Sequence, residues 1–122
     1  MDNFIKLSNS NIVPRVLIGL WQIADMEKSG IILDPNKISK FMNIYADNGF
    51  TSFDMADHYG SSEIISGVFK NNYKNSNKIN LFTKWVPKPG KITKKSTNEA
   101  VNTALSRMNQ SQIDLMQFHA WH

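Results

Sequence analysis

The chain contains no cysteine. That excludes a disulfide framework and any thiolate metal site, and it suits a reducing compartment. No apolar run approaches the ~20 residues that a membrane-spanning helix requires. The first residues, MDNFIKLSNSN, lack a basic stretch followed by an apolar one, so they do not read as a signal peptide. No G-x-G-x-x-G and no Walker-type loop is present to take a dinucleotide or a nucleotide phosphate. Low-complexity tracts, linkers and a break toward a second domain are missing as well. These absences leave a cytoplasmic protein whose 122 residues are one domain or a piece of one.

What is present is ordinary for a globular chain, at 41% hydrophobic and 20% charged residues. A chain of this length buries roughly two-thirds of its unfolded surface, enough for a core. The net charge of +4 rests on twelve lysines and two arginines. A pI near 9.4 raises nucleic acid as a partner, but the lysines are scattered. Five fall between Lys84 and Lys95, among Pro87, Pro89 and Gly90. Without an aromatic platform or a basic helix, that stretch reads as a solvated loop. Neither nucleic acid nor a membrane is expected as a partner.

Short apolar segments recur along the chain. Val16–Leu20, Thr51–Met55, Leu81–Trp85 and Leu115–His119 each read as a buried strand, with starts 35, 30 and 34 residues apart. Helical patterns fill the gaps. Asp34-Pro35 starts the first, which buries Ile38, Phe41, Met42 and Tyr45 and ends at Asn48-Gly49. The second runs from about Ser62 to Lys70, weakened by Gly67. The third begins at a Ser96–Glu99 capping box and buries Ala100, Val101, Ala104, Leu105 and Met108. Strand–helix–strand repeats of this kind predict an α/β fold with parallel strands. Phe4–Leu7 and Asn11–Val13 predict a small hairpin ahead of them.

Asp54, Tyr59, Lys84 and His119 each fall at or just after the carboxyl end of a predicted strand. Titratable groups there read as chemistry rather than packing. An acid, a phenol, an amine and an imidazole brought together can protonate a carbonyl oxygen. A free tyrosine, with a pKa about 10, is a reluctant acid near neutrality. An ammonium ~4 Å away, at an effective dielectric near 20, is worth about 4 kcal/mol. Lys84 is therefore expected to make the Tyr59 proton easier to release.

The segments Asp54-Met-Ala-Asp-His-Tyr-Gly-Ser-Ser-Glu63, Thr83-Lys84 and Ile113-Asp-Leu-Met-Gln-Phe-His119 resemble, in that order, the motifs of the aldo-keto reductase superfamily. The opening hairpin and the Gly19-Leu20-Trp21 turn fit as well, so the resemblance covers the whole chain. It implies a (β/α)8 TIM barrel that reduces an aldehyde or ketone to an alcohol with NADPH or NADH. It implies Tyr59 as general acid, Lys84 assisting it, Asp54 pairing with Lys84, and His119 orienting the carbonyl. Gly19, Trp21 and Asp54 are the implied cofactor contacts. Trp21, Trp85 and Trp121 each follow a strand and are expected to line an apolar substrate pocket.

Other groups carry blander expectations. Asp57 and His58 read as loop residues. Glu63 reads as fixing the loop or capping the second helix. His119 and His122 form H-x-x-H, but without a third ligand no metal is expected.

A barrel of this type needs eight strands and typically about 250 residues. Four strands are legible, with three helices and the hairpin. The expected architecture is thus the N-terminal half of a barrel, a partial NADP-dependent oxidoreductase domain over residues 1–122, truncated after strand four. Phosphate-binding loops of such barrels usually follow strands seven and eight. Cofactor binding and turnover are therefore expected to need a second half, through self-association or a complementary half-barrel chain. The alternative is a catalytically inactive interaction module or a gene fragment.

Overall fold

Four short strands separated by helical segments leave each strand free to pair with the one before it, and they do. The computed structural model describes residues 3–120. Strands β1 (Phe4–Lys6) and β2 (Ile12–Pro14) form the antiparallel hairpin, with Ile5 opposite Val13. Then follow β3 (Ile18–Gly19), α1 (Trp21–Lys28), α2 (Pro35–Asp47), β4 (Ser52–Asp54), α3 (Ser62–Asn72), a 3-10 turn at Ser76–Lys78, β5 (Asn80–Trp85), α4 (Lys94–Met108) and β6 (Leu115–Phe118). The sheet β3-β4-β5-β6 is parallel throughout, its order in space the order in the chain. The register sets Gly19 beside Asp54, Asp54 beside Phe82, and Lys84 beside Gln117.

The core lies between the sheet and its helices. Phe53, Met55, Ile65, Phe69, Leu81 and Met108 are all 2% exposed or less. Phe53 and Phe69 meet edge to face at 5.1 Å. Each such side chain contributes about 1.5–3 kcal/mol through burial. Among the described residues no helix is long and apolar enough to cross a membrane.

Four helices are present where the sequence predicts three. The extra one, α1, has eight residues and no side-chain N-cap, so nothing local announces it. In α2, Asp34 caps the Asn36 N–H at 2.9 Å and Pro35 sits at the first helical position, as expected. Its buried face matches the expected one in part, with Met42 buried and Ile38 packed against the core. Ser39, Met42 and Ala46 are buried, whereas Phe41 and Tyr45 are exposed. The helix packs sideways on α3, which rotates the contact stripe away from the one hydropathy alone selects. Helix α4 starts earlier than expected, at a reciprocal cap between Thr93 and Ser96. Thr93 is extended and Ser96 plays the part expected of Glu99. Strand β3 holds only two of the five predicted residues, and Val16 and Leu17 are exposed.

Gly67 has a purpose that helix propensity hides. A Cβ built there would lie 2.1 Å from the backbone oxygen of Met108. The backbones of α3 and α4 touch at this point.

Helices α2 and α3 are tied at their ends. The Tyr73 hydroxyl donates to Asp47 Oδ1 at 2.8 Å. That bond, with some desolvation and the carboxylate's charge, holds the phenol's pKa above its ordinary value. As pH rises the unfolded phenol ionises first. The bond's contribution is therefore complete below about pH 10 and lost as pH climbs through the raised folded value. As pH rises above about 10, the melting temperature should fall more steeply for the natural chain than for Tyr73→Phe. Parallel curves would show that the bond contributes nothing.

Candidate functional site

Parallel strands deliver their last residues to one end of the sheet, and the candidate chemistry gathers there. Asp54 is the last residue of β4 and Lys84 the fifth of six in β5. Adjacent strands in register bring them together. Lys84 Nζ donates to Asp54 Oδ2 at 2.7 Å and to the Met55 carbonyl at 2.9 Å. Two of the ammonium's three donors are thus committed. The side chains are 13% and 27% exposed, so the pair is only partly screened by water.

Tyr59 stands on the turn after β4, and Lys84 Nζ lies over its ring, 5.0 Å from the centroid. That geometry is a cation–π contact. Trp21, the first residue of α1, meets the Tyr59 ring edge-on at 5.0 Å. The expected grouping of Asp54, Tyr59 and Lys84 is therefore present in space.

His119 follows β6, its backbone N–H donating to the Trp85 carbonyl at 2.8 Å. It reaches the group through a residue that sequence reasoning set aside. The His58 ring stacks on His119 at 6.3 Å and 19° between planes. It also lies 4.9 Å edge-on from Tyr59 and 6.2 Å from Trp21. Its Nδ1 is 3.0 Å from Asp57 Oδ1, while Asp57 Oδ2 accepts from the Val86 N–H at 2.9 Å. Asp57 therefore fixes the turn to the end of β5 and carries His58 with it. Nothing in a lone Asp-His dipeptide announces that placement.

Behind Tyr59 lies a second layer. Glu63, fully buried at the start of α3, accepts from Thr83 Oγ1 at 2.6 Å and from Arg107 Nε at 2.8 Å. Glu63, expected to fix the loop or cap the second helix, instead ties α3 to β5 and α4, and it is Arg107 that reaches the loop. Arg107 also donates to the Gly60 carbonyl at 2.7 Å. Glu27 of α1 takes the Ser61 N–H at 2.9 Å and the Ser61 hydroxyl at 2.5 Å. Arg107 and Glu27 went unnoticed because their partners lie 44 to 47 and 34 residues away.

The residues expected to hold a nicotinamide leave open space at this end of the sheet. Gly19 ends β3 beside Asp54, and a Cβ there would meet nothing within 4 Å. Two residues on, Trp21 is 39% exposed beside Tyr59, with Lys28 Nζ over its ring, 4.3 Å from the centroid. Beyond Lys84, toward the start of α4, a cleft of about 750 Å³ opens, lined by Trp85, Pro87, Lys88, Lys91, Ile92 and Glu99 among others; Lys84 borders it, but Tyr59, Trp21 and His119 do not. That volume is within the usual range for small-molecule sites. Trp85 also packs edge-on against Phe118 at 5.7 Å. Trp121 and His122 lie outside the described residues. Among those described, no three His, Asp or Glu side chains are grouped so as to hold a metal ion.

A family model, that of the aldo/keto reductase family, matches residues 15–122. Comparison with curated proteins finds no match. Solved structures do match. A protein described as an aldo-keto reductase of Pseudomonas aeruginosa is 20% identical at a TM-score of 0.73, over 97% of this chain and 46% of that one. The holo form of an aldo-keto reductase from Bacillus halodurans is 24% identical at 0.72, over 96% and 40%. An aldo-keto reductase from Klebsiella pneumoniae in complex with NADPH is 17% identical at 0.74, over 98% and 39%. The chain therefore spans less than half the length of the structures it matches.

Proposed function

From the premise that this chain belongs to the aldo/keto reductase family, we propose that it carries the proton-transfer half of a site that reduces an aldehyde or ketone to an alcohol. The observation that carries this reading is the Lys84 ammonium, held by Asp54 at 2.7 Å and lying over the Tyr59 ring. Tyr59 gives its proton to the carbonyl oxygen as that oxygen gains charge. Lys84 stabilises the phenolate left behind, and Asp54 keeps the ammonium charged and aimed. His119, with His58 stacked on it, lies on the side from which a carbonyl oxygen would be oriented.

A nicotinamide cofactor, NADPH or NADH, would supply the hydride when bound. Gly19, Trp21 and Asp54 would hold its reactive end. Trp21 and Trp85 would face the substrate, a small carbonyl compound. The elements that would grip the cofactor's phosphates would come from the other half of such a barrel, supplied by a further stretch of chain, another copy of this chain or a complementary one. The edge positions of β3 and β6 and the exposed Val16, Leu17 and Phe118 support such a partner.

The test is an NADPH titration followed by tryptophan fluorescence, with mass read by light scattering in the same sample. Saturable quenching in the range of about 1–100 μM, lost in Trp21→Phe, is the expected result. A folded protein that binds no NADPH would instead favour a half-barrel that serves as an interaction module.

A further inference from the structure

The turn that carries Tyr59 is gripped at two successive residues from two different helices. Arg107, in the last turn of α4, holds the Gly60 carbonyl, and Glu27 of α1 holds the Ser61 N–H and hydroxyl. Gly60 itself has φ +53, and a Cβ there would come within 2.8 Å of Glu27 Oε1. The Glu27 carboxylate therefore closes on the turn as tightly as the smallest residue permits.

Arg107 does a second thing with the same guanidinium. Its Nε meets Glu63 Oε2, and the other oxygen of Glu63 accepts from Thr83. Glu63 is fully buried. A buried carboxylate is a costly way to pack two helices together, and an apolar pair of similar volume commonly does so as well or better. What it adds is direction. Gly60 is bonded to Tyr59, and Thr83 is bonded to Lys84. The run Gly60–Arg107–Glu63–Thr83 thus braces the residue beside the phenol against the residue beside the ammonium, from behind the sheet.

We propose that Arg107 and Glu63 are positioning residues, which set how the Tyr59 ring stands against Lys84 and Trp21. Their use in carbonyl reduction rests on the function proposed above; the brace itself does not. Its signature is the difference between a fork and a point charge. Lysine at 107 still neutralises Glu63, but its one nitrogen replaces two, Nε on Glu63 and Nη2 on the Gly60 carbonyl, and loses the planar fork that sets their directions.

The experiment uses the whole chain labelled with 3-fluorotyrosine. Its three tyrosines give three fluorine resonances, and Tyr59→Phe identifies the one for Tyr59. In Arg107→Lys the melt should stay cooperative and near that of the natural chain. The Tyr59 resonance alone should move toward its unfolded position, while those of Tyr45 and Tyr73 stay. Arg107→Met should move it further. If Arg107→Met fails to fold, Arg107→Lys decides by itself. A Tyr59 resonance unmoved in Arg107→Lys would overturn the proposal. Should the natural chain reduce 4-nitrobenzaldehyde with NADPH, Arg107→Lys should lower kcat about tenfold at unchanged KM; an equal kcat would also overturn it. A natural chain without turnover would count against the reductase reading, and the fluorine spectrum would still decide the brace.

Discussion

Gly67→Ala is expected to destabilise the chain strongly. Alanine is ordinarily the better helix former, by about 0.5–1 kcal/mol over glycine. Here that gain is overwhelmed. The new methyl group would stand 2.1 Å from the Met108 oxygen and 2.6 Å from its carbonyl carbon. These are backbone atoms and cannot swing aside as a side chain could. Helices α3 and α4 would have to part by about 1 Å, opening the packing around Met108 and stretching the Glu63–Arg107 pair. Overpacking costs about 1–3 kcal/mol, and more where rigid backbone blocks relaxation, against a total of about 5–15 kcal/mol for a domain. The melting temperature should fall by roughly 10 °C or more. Thermal unfolding followed by circular dichroism reads this directly, and a variant that melts at or above the natural temperature would refute the contact.

If the chain reduces carbonyl compounds as proposed, Tyr59→Phe is expected to remove turnover while leaving the site standing. Phenylalanine keeps the ring, so the edge contact with Trp21 and the place over which Lys84 Nζ lies are both retained. Only the donor is lost. A positioned general acid contributes about 10²–10⁴-fold, which corresponds to about 2.7–5.5 kcal/mol on the barrier. Steady-state reduction of an aldehyde should fall by that factor, with NADPH affinity within about twofold of the natural chain's because uniform binding is untouched. Retained activity would hand the acid role to another group, and His58 or His119 would be next to examine.

The parts of the fold legible in the sequence are those with local causes. Asp34-Pro35 announces α2 because a carboxylate cap and a fixed φ act within a few residues. The four strands stand out because apolar runs bounded by polar turns have few other uses. Asp54, Tyr59 and Lys84 were legible because parallel strands fix where their ends go, and their spacing in the chain follows from that. Helix α1 was not legible, since tertiary contact at Ile23 and Ala24 supports it more than any cap. The buried stripe of α2 was partly misjudged because a helix wedged against another helix buries serine and alanine and leaves Phe41 outside. Glu27, His58 and Arg107 were missed for one reason. Their roles arise from partners 34 or more residues distant, or from ring stacking across strands, and neither leaves a mark on neighbouring sequence.

The sheet's neighbour order has a consequence for how the chain is made. Strands β3 to β6 pair in the sequence in which they are synthesised. A ribosome adding about 5–20 residues per second releases a strand–helix unit of this length roughly every 2–7 s. Each new strand finds its template already exposed at the growing edge and never has to wait for a partner still inside the exit tunnel. Assembly can keep pace with elongation, and the nascent sheet offers one growing margin to the chaperones around it while the edge at β3 stays fixed.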